Sequence, residues 1–311
     1  QVVSVMPTAG TVGTKVTINS TGYALGESVK FAFGTNASIQ TAVAGQYGSF
    51  TASFTVDVQA YGTTTITSSG ASAATNVFNI LPAVVNVVPT AGTVGTVVTI
   101  AGTGYASVDV VTIAFGTNSQ IKQTVASQYG SFTCSFTVDI QPAGTTTITA
   151  SGVSVATNVF NIQPAVVSVM PTSGTVGTIV TIQSTGYGAN DIITIAFGTN
   201  SSIKQADASQ YGSFTTSFTV DTQLHGTCTI ITSGGVNVVK SKFFIESAIY
   251  SLLPTSGTVG TSVDVCGTGY GPSELITIGF GDTANIGQVF SDNSGYFVKS
   301  FVVNLQDYGT T

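Results

Sequence analysis

Through most of the chain, apolar residues alternate with hydroxyl and amide residues, and no stretch keeps a helical spacing. Val16 and Ile18 alternate with Thr17 and Asn19, and Val29, Phe31 and Phe33 with Lys30 and Ala32. Phe50, Ala52, Phe54 and Val56 alternate with Thr51, Ser53 and Thr55. Before these comes Val2 to Val5; between and after them lie a weaker run at Ile39 to Val43, a Thr-rich run around Thr64 and Ile66, and Val77, Phe78 and Ile80. A period of two with β-branched residues between the apolar ones predicts strands with one face on a core and one in water. Gly22, Gly34, Gly48, Gly62 and Gly70 punctuate the runs.

The pattern then starts again. Pro7 to Thr14 returns as Pro89 to Thr96, Pro171 to Thr178 and Pro254 to Thr261, with Gly10, Gly92, Gly174 and Gly257 at offsets of 82, 82 and 83 residues. A period of this size means tandem copies of one unit. About seven short strands per copy, with turn signals and no helix signal, predict an all-β protein of tandem immunoglobulin-like β-sandwich domains. The chain has no Trp, so the Cys–Trp–Cys core of antibody domains is absent. Val16, Ile18, Phe31, Phe33, Phe50, Phe54, Val56, Ile66, Phe78 and Ile80 are the expected core. Gly10 and Gly13 bracket the first turn, where a positive φ or a close backbone approach is expected.

The expected domains are 1–82, 83–164, 165–247 and 248–311 (repeats 1 to 4). Their joints, Ile80-Leu81-Pro82-Ala83-Val84, Ile162-Gln163-Pro164-Ala165-Val166 and Ile245-Glu246-Ser247-Ala248-Ile249, contain no flexible linker. A semi-rigid rod is the expectation. Repeat 4 stops at the equivalent of Gly62-Thr63-Thr64 and so lacks most of two strands, to be supplied by continuation of the chain beyond Thr311 or by another subunit.

The stretches PTSGTVGT, ITIAFG, SQYGSFTTSFTVD and the Thr-rich end of each copy resemble IPT/TIG-type immunoglobulin-like repeats of bacterial and archaeal cell-surface proteins. The resemblance covers essentially the whole chain. It implies an extracellular setting, in S-layers, stalks, adhesins or filaments, and an aromatic at Tyr23, Tyr105, Tyr187 and Tyr270; it carries no catalytic residues.

Composition narrows the function. Charged residues make up 6% of the chain, against about 25% in ordinary soluble proteins. Thirteen acids face seven lysines, with no Arg. That leaves no basic stripe for nucleic acid and no polybasic patch for a membrane surface. No run of 18 apolar residues is present, so no helix crosses a membrane within the chain. A weakly charged surface does little to repel its own copies. Cys134, Cys228 and Cys266 fall at three different repeat positions, so no disulfide recurs. They read as isolated small residues, with a Cys228–Cys266 bridge as the alternative.

Candidate chemistry is sparse. His225, the one histidine, aligns with Tyr61, Ala143 and Tyr308 and reads as an incidental turn residue. Glu27, Asp109, Asp191 and Glu274 recur before one strand, and Asp57, Asp139 and Asp221 (Asn304 in repeat 4) at the end of another. They read as turn caps, with Ca²⁺ ligation as the alternative and the only cofactor considered. Asn19, Asn36 and Asn200 lie in N-glycosylation sequons, where glycans would hydrate a charge-poor extracellular surface. The expected function is a non-enzymatic structural one: a subunit or segment of a cell-surface filament, sheath or S-layer that partners itself and, through modification or binding, glycans. The alternative is the stalk of an adhesin whose ligand-binding tip lies beyond Thr311, and a third reading is an accessory region of a secreted enzyme.

Overall fold

The computed structural model describes residues 2–306 and Gly309, apart from the side chains of Val2 and Val3. The end of repeat 4 at Thr310 and Thr311, and Tyr308, aligned above with His225, lie outside the described residues. The described chain is all-β and falls into two compact units. One comprises Gln1–Asp139 and Gly144–Ile162, the other Ile140–Ala143 and Gln163–Thr311.

The first 80 residues show how the sequence builds a sandwich. The strands are β1 (Val2–Met6), β2 (Ala9–Gly10), β3 (Lys15–Thr21), β4 (Ser28–Phe33), β5 (Asn36–Val43), β6 (Phe50–Thr55), β7 (Gly62–Ser69) and β8 (Ala73–Ile80). One sheet runs β1-β3-β6 and the other β2-β8-β7-β4-β5. All pairings are antiparallel except the two-residue β2, which lies parallel to β8. The chain thus begins in the small sheet and crosses to the large one after the cis Met6-Pro7 bond. That makes eight strands where alternation alone predicts about seven. The same order recurs over residues 83–162 and 165–245.

The Pro-Thr-Ala-Gly turn divides its glycine requirements. Gly13 has φ 91°, a conformation that favours glycine. Gly10 has no room for a side chain: a Cβ there would meet Thr14 Oγ1 at 2.6 Å.

Nine of the ten expected core residues of repeat 1 are buried. Register places Val16 opposite Phe54 and Ile18 opposite Ala52, so the alternation of both strands points one set of side chains inward. Phe33 stacks on Phe54 and edge-on to Phe78 at 5.1 and 5.8 Å, and such pairs add about 0.5–1.5 kcal/mol beyond burial. Phe50 departs from the expectation: it packs on the core against Tyr23 and Phe31 but is only half-buried, whereas its counterparts Phe132, Phe214 and Phe297 are buried. On the outer face of the small sheet, hydroxyls pair across strands, Thr17 with Ser53 at 3.2 Å, Thr99 with Ser135 at 2.8 Å and Thr181 with Ser217 at 2.9 Å. These contacts satisfy the outer face without charge.

Repeat 4 has the strands Ala248–Leu253, Ser262–Thr268, Leu275–Phe280, Thr283–Phe290 and Phe297–Val302. Its small sheet has all three strands; its other sheet contains two among the described residues. Phe280 is therefore half-buried, whereas its counterparts Phe33, Phe115 and Phe197 are fully buried. A cleft of about 860 Å³ opens beside it, lined by Val263, Phe280, Val303 and Gln306 among others.

Candidate functional sites

The recurring carboxylates turn toward backbone and amide groups. In repeat 1 the Glu27 carboxylate accepts from the Ala24 and Ala71 N–H groups, and in repeat 2 Asp109 accepts from the Val153 N–H at 2.8 Å. Each acid thereby ties the loop before β4, or its counterpart, to the tip of the β7–β8 hairpin. Asp191 accepts from the Gly188 N–H at 2.9 Å and Glu274 from the Gly271 N–H at 2.6 Å.

The second acidic series belongs to a larger motif, Asp-x-Gln. Asp57 Oδ2 accepts from Asn36 Nδ2 at 2.9 Å and Oδ1 from Gln59 Nε2 at 2.9 Å. Gln59 Nε2 also reaches the Phe33 carbonyl, and its Oε1 accepts from the Thr35 N–H and hydroxyl. This network clamps the tight β4–β5 turn, where Gly34 has φ 52° and a Cβ would meet Gln59 Oε1 at 2.5 Å. Asp221, Gln223 and Asn200 repeat it with bonds of 2.8 Å, and Asp139 holds Asn118 at the same distance. In repeat 4 Asn304 replaces the acid, still accepting from Gln306 Nε2 at 2.8 Å and now donating to Thr283 Oγ1. The glutamines Gln59, Gln141 and Gln223 are buried, so their amides have to be paired. The signal was in the sequence: Gln recurs two residues after the acid in every repeat. Among the described residues no group of three or more His, Cys, Asp or Glu converges where a metal could be shared.

The sequons divide in the same way. Asn36 and Asn200 spend the amide nitrogen that a glycan would occupy on the Asp57 and Asp221 carboxylates. Asn118, which lies in no sequon, makes the same bond, so the brace accounts for asparagine at this position. Asn19 is exposed in mid-strand on β3, and its Oδ1 accepts from the Thr51 hydroxyl at 2.7 Å.

The aromatic position anchors the sandwich end. Tyr23 hydroxyl meets Ser68 Oγ at 2.6 Å, Tyr105 donates to the Ala150 carbonyl at 3.1 Å, and Tyr187 meets Thr232 Oγ1 at 2.6 Å. Burial, with a smaller contribution from the Asp109 charge, pushes the Tyr105 phenol up to about 12. Burial likewise raises Tyr187, and burial followed by the Glu274 charge raises Tyr270. All three phenols remain neutral at physiological pH. The three cysteines are free thiols, which overturns the alternative of a Cys228–Cys266 bridge. Burial pushes the Cys134 and Cys228 thiols up, keeping them protonated and unreactive.

His225 has a place that its lack of recurrence concealed. Within the first unit the Tyr61 N–H donates to the Tyr105 carbonyl at 2.8 Å, joining repeat 1 to repeat 2. Within the second unit the His225 N–H donates to the Tyr270 carbonyl at 3.3 Å, joining repeat 3 to repeat 4. The contact uses main-chain atoms, so Tyr and His serve alike. The His225 ring adds an edge contact with Phe244 at 5.3 Å and approaches Ser247 Oγ with Nδ1 at 3.3 Å.

No family model matches the sequence, and no curated protein does. Among solved structures the chain is similar to a protein crystallised with xylogluco-oligosaccharide, at 15% identity over 92% of this chain and 67% of that one, with TM-score 0.29. Invasin, a bacterial integrin-binding protein, matches at 11% identity over 98% of this chain and 74% of its own, with TM-score 0.26. The D1–D4 ectodomain fragment of ICAM-5 matches at 12% identity over 97% and 99%, with TM-score 0.24. At these scores the fold stands on the strand order and register described above. Among the described residues no helix is long and apolar enough to cross a membrane.

Proposed function

We propose that this chain is an extracellular structural segment of IPT/TIG-like repeats, part of a cell-surface filament, sheath or surface layer that holds to its neighbours by lateral and β-edge contacts. One observation carries the reading: the polar side chains that recur in every repeat are committed to bracing turns and hairpins, as in the Asp57–Asn36–Gln59 network. Amides and carboxylates paired with one another in this way are not free to turn over a substrate. The rest of the surface is hydroxyl-rich and nearly uncharged, which lets molecules approach one another. Docked main-chain contacts between successive repeats would pass tension along such a segment. Sedimentation velocity across a concentration series, with electron microscopy of the same samples, tests the proposal. Growth of ordered assemblies with concentration is expected. A protein that stays monomeric throughout would overturn it and favour the stalk of an adhesin, which needs no self-association.

A further inference from the structure

Repeat 3 departs from its siblings on one face. The outward positions of its last strand, Asn237–Ile245, are Val238, Lys240, Lys242 and Phe244. The register positions they share with repeat 2 hold Val155, Thr157, Val159 and Asn161, and those of repeat 1 hold Ala73, Thr75, Val77 and Asn79. Two of the seven lysines of the chain thus stand two residues apart on the outward side of a strand that carries no charge in the first two repeats. Their cross-strand partners are Ile231 and Thr229, so no acid faces them across the pair of strands. Apolar surface brackets the lysines: Val236 at the hairpin tip is 96% exposed, and Phe244, edge-on to the His225 ring, 41%.

Repeat 4 carries the complementary pattern. It holds five carboxylates, at Asp264, Glu274, Asp282, Asp292 and Asp307, against the single Lys299, so it contributes −4 of the net charge of −6. On its hairpin Leu275–Phe280 and Thr283–Phe290, Leu275 faces Phe290 across the strands, and the two side chains are 50% and 64% exposed. Glu274 immediately precedes Leu275, Asp292 follows Phe290 by one intervening residue, and both acids are exposed. The Ser294 hydroxyl and the Tyr296 N–H bond Asp292 Oδ1, which favours its anionic form.

We infer that the Lys240–Lys242 face of repeat 3 docks on the Leu275–Phe290 hairpin of repeat 4 in a second copy of this chain, with Glu274 and Asp292 meeting the lysines and Phe244 covering the apolar pair. The inference rests on the self-association proposed above and names the surfaces that carry it. Opposite charges flanking apolar centres fix register and partner. In a chain of net charge −6, this pairing supplies attraction between like molecules, and it weakens as salt screens it.

Charge reversal tests it in the full chain. Lys240→Glu with Lys242→Glu is expected to raise the concentration at which half the chains associate by at least about tenfold, as is Glu274→Lys with Asp292→Lys, because each sets like charges opposite each other. An equimolar mixture of the two double variants is expected to recover association through the swapped pair. All four positions are exposed, but Glu274 and Asp292 also accept turn hydrogen bonds. Glu274→Gln with Asp292→Asn, which keeps the acceptors and removes the charge, is therefore expected to weaken association in the same direction, with circular dichroism checking the folding of each variant. Unchanged association of any of these variants, or no recovery on mixing, overturns the inference while wild-type assembly leaves the structural reading standing. Wild-type chains that never associate overturn both. Retention of the wild type on polygalacturonate, lost in the lysine variant while assembly is unchanged, would assign the face to an anionic glycan instead.

Discussion

Repeats 2 and 4 share their turn motifs, and their described strands close the two cores to different extents. In repeat 2 five strands cover one side of the sandwich and Phe115 is fully buried; in repeat 4 the same side has two described strands and Phe280 is half-buried. The turn brace nevertheless forms in both, with Asp139 holding Asn118 in repeat 2 and Gln306 reaching Asn304 and the Phe280 carbonyl in repeat 4. Two layers of organisation are therefore separable. The brace needs only the β4–β5 turn and the end of β6, whereas deep burial needs the β7–β8 hairpin.

The largest test of this separation is Phe115→Ala against Phe280→Ala. The first should cost about 3–5 kcal/mol, as for a fully buried aromatic, and the second about half as much. Amide exchange of Val110–Phe115 and of Leu275–Phe280 reads each repeat on its own, and equal losses would erase the contrast. Gln223→Ala comes next. It removes one of the two amide donors to the Asp221 carboxylate and the side-chain donor to the Phe197 carbonyl, for about 1–3 kcal/mol, while Gln306→Ala, on a half-buried side chain, should cost less. Exchange at Thr199 and Asn200 would report it.

Alkali offers a third probe. The Tyr105 pKa is raised from 10.0 to about 12, so the neutral phenol contributes stability that is complete below pH 10 and is lost as pH rises through 12. Tyr105→Phe should therefore flatten the alkaline fall in melting temperature of its unit, and superimposable curves would refute the assignment. The smallest effect is expected from His225→Ala, under about 0.5 kcal/mol, since the joint uses the main-chain N–H. A larger loss in the melting curve would show that the ring, not the backbone, holds repeats 3 and 4 together.

Much of this architecture was legible because period-two alternation is a strong signal over six to eight residues. Val16 and Ile18, or Phe31 and Phe33, identify their strands and their inward face unaided. Ala9–Gly10 could not be read this way, because two residues carry no periodicity and the strand is defined by its parallel partner Asn79–Ile80. Phe50 reads as core by its alternation, and its counterparts Phe132, Phe214 and Phe297 are core; only in repeat 1 is the position half-buried. The acids were found by recurrence, but their role required the glutamine two positions on. His225 was opaque for a different reason: a contact made by the backbone leaves no trace in residue identity.

That last feature bears on how such a chain can lengthen. A joint closed by a peptide N–H and a peptide C=O, as at Tyr61 and Tyr105, asks nothing of the side chain at the donor position. A newly duplicated segment therefore arrives already able to seat on its neighbour, and drift at that residue leaves the seam intact. Growth by whole modules becomes cheap for the genome, with diversification left to outward positions such as Lys240 and Phe244.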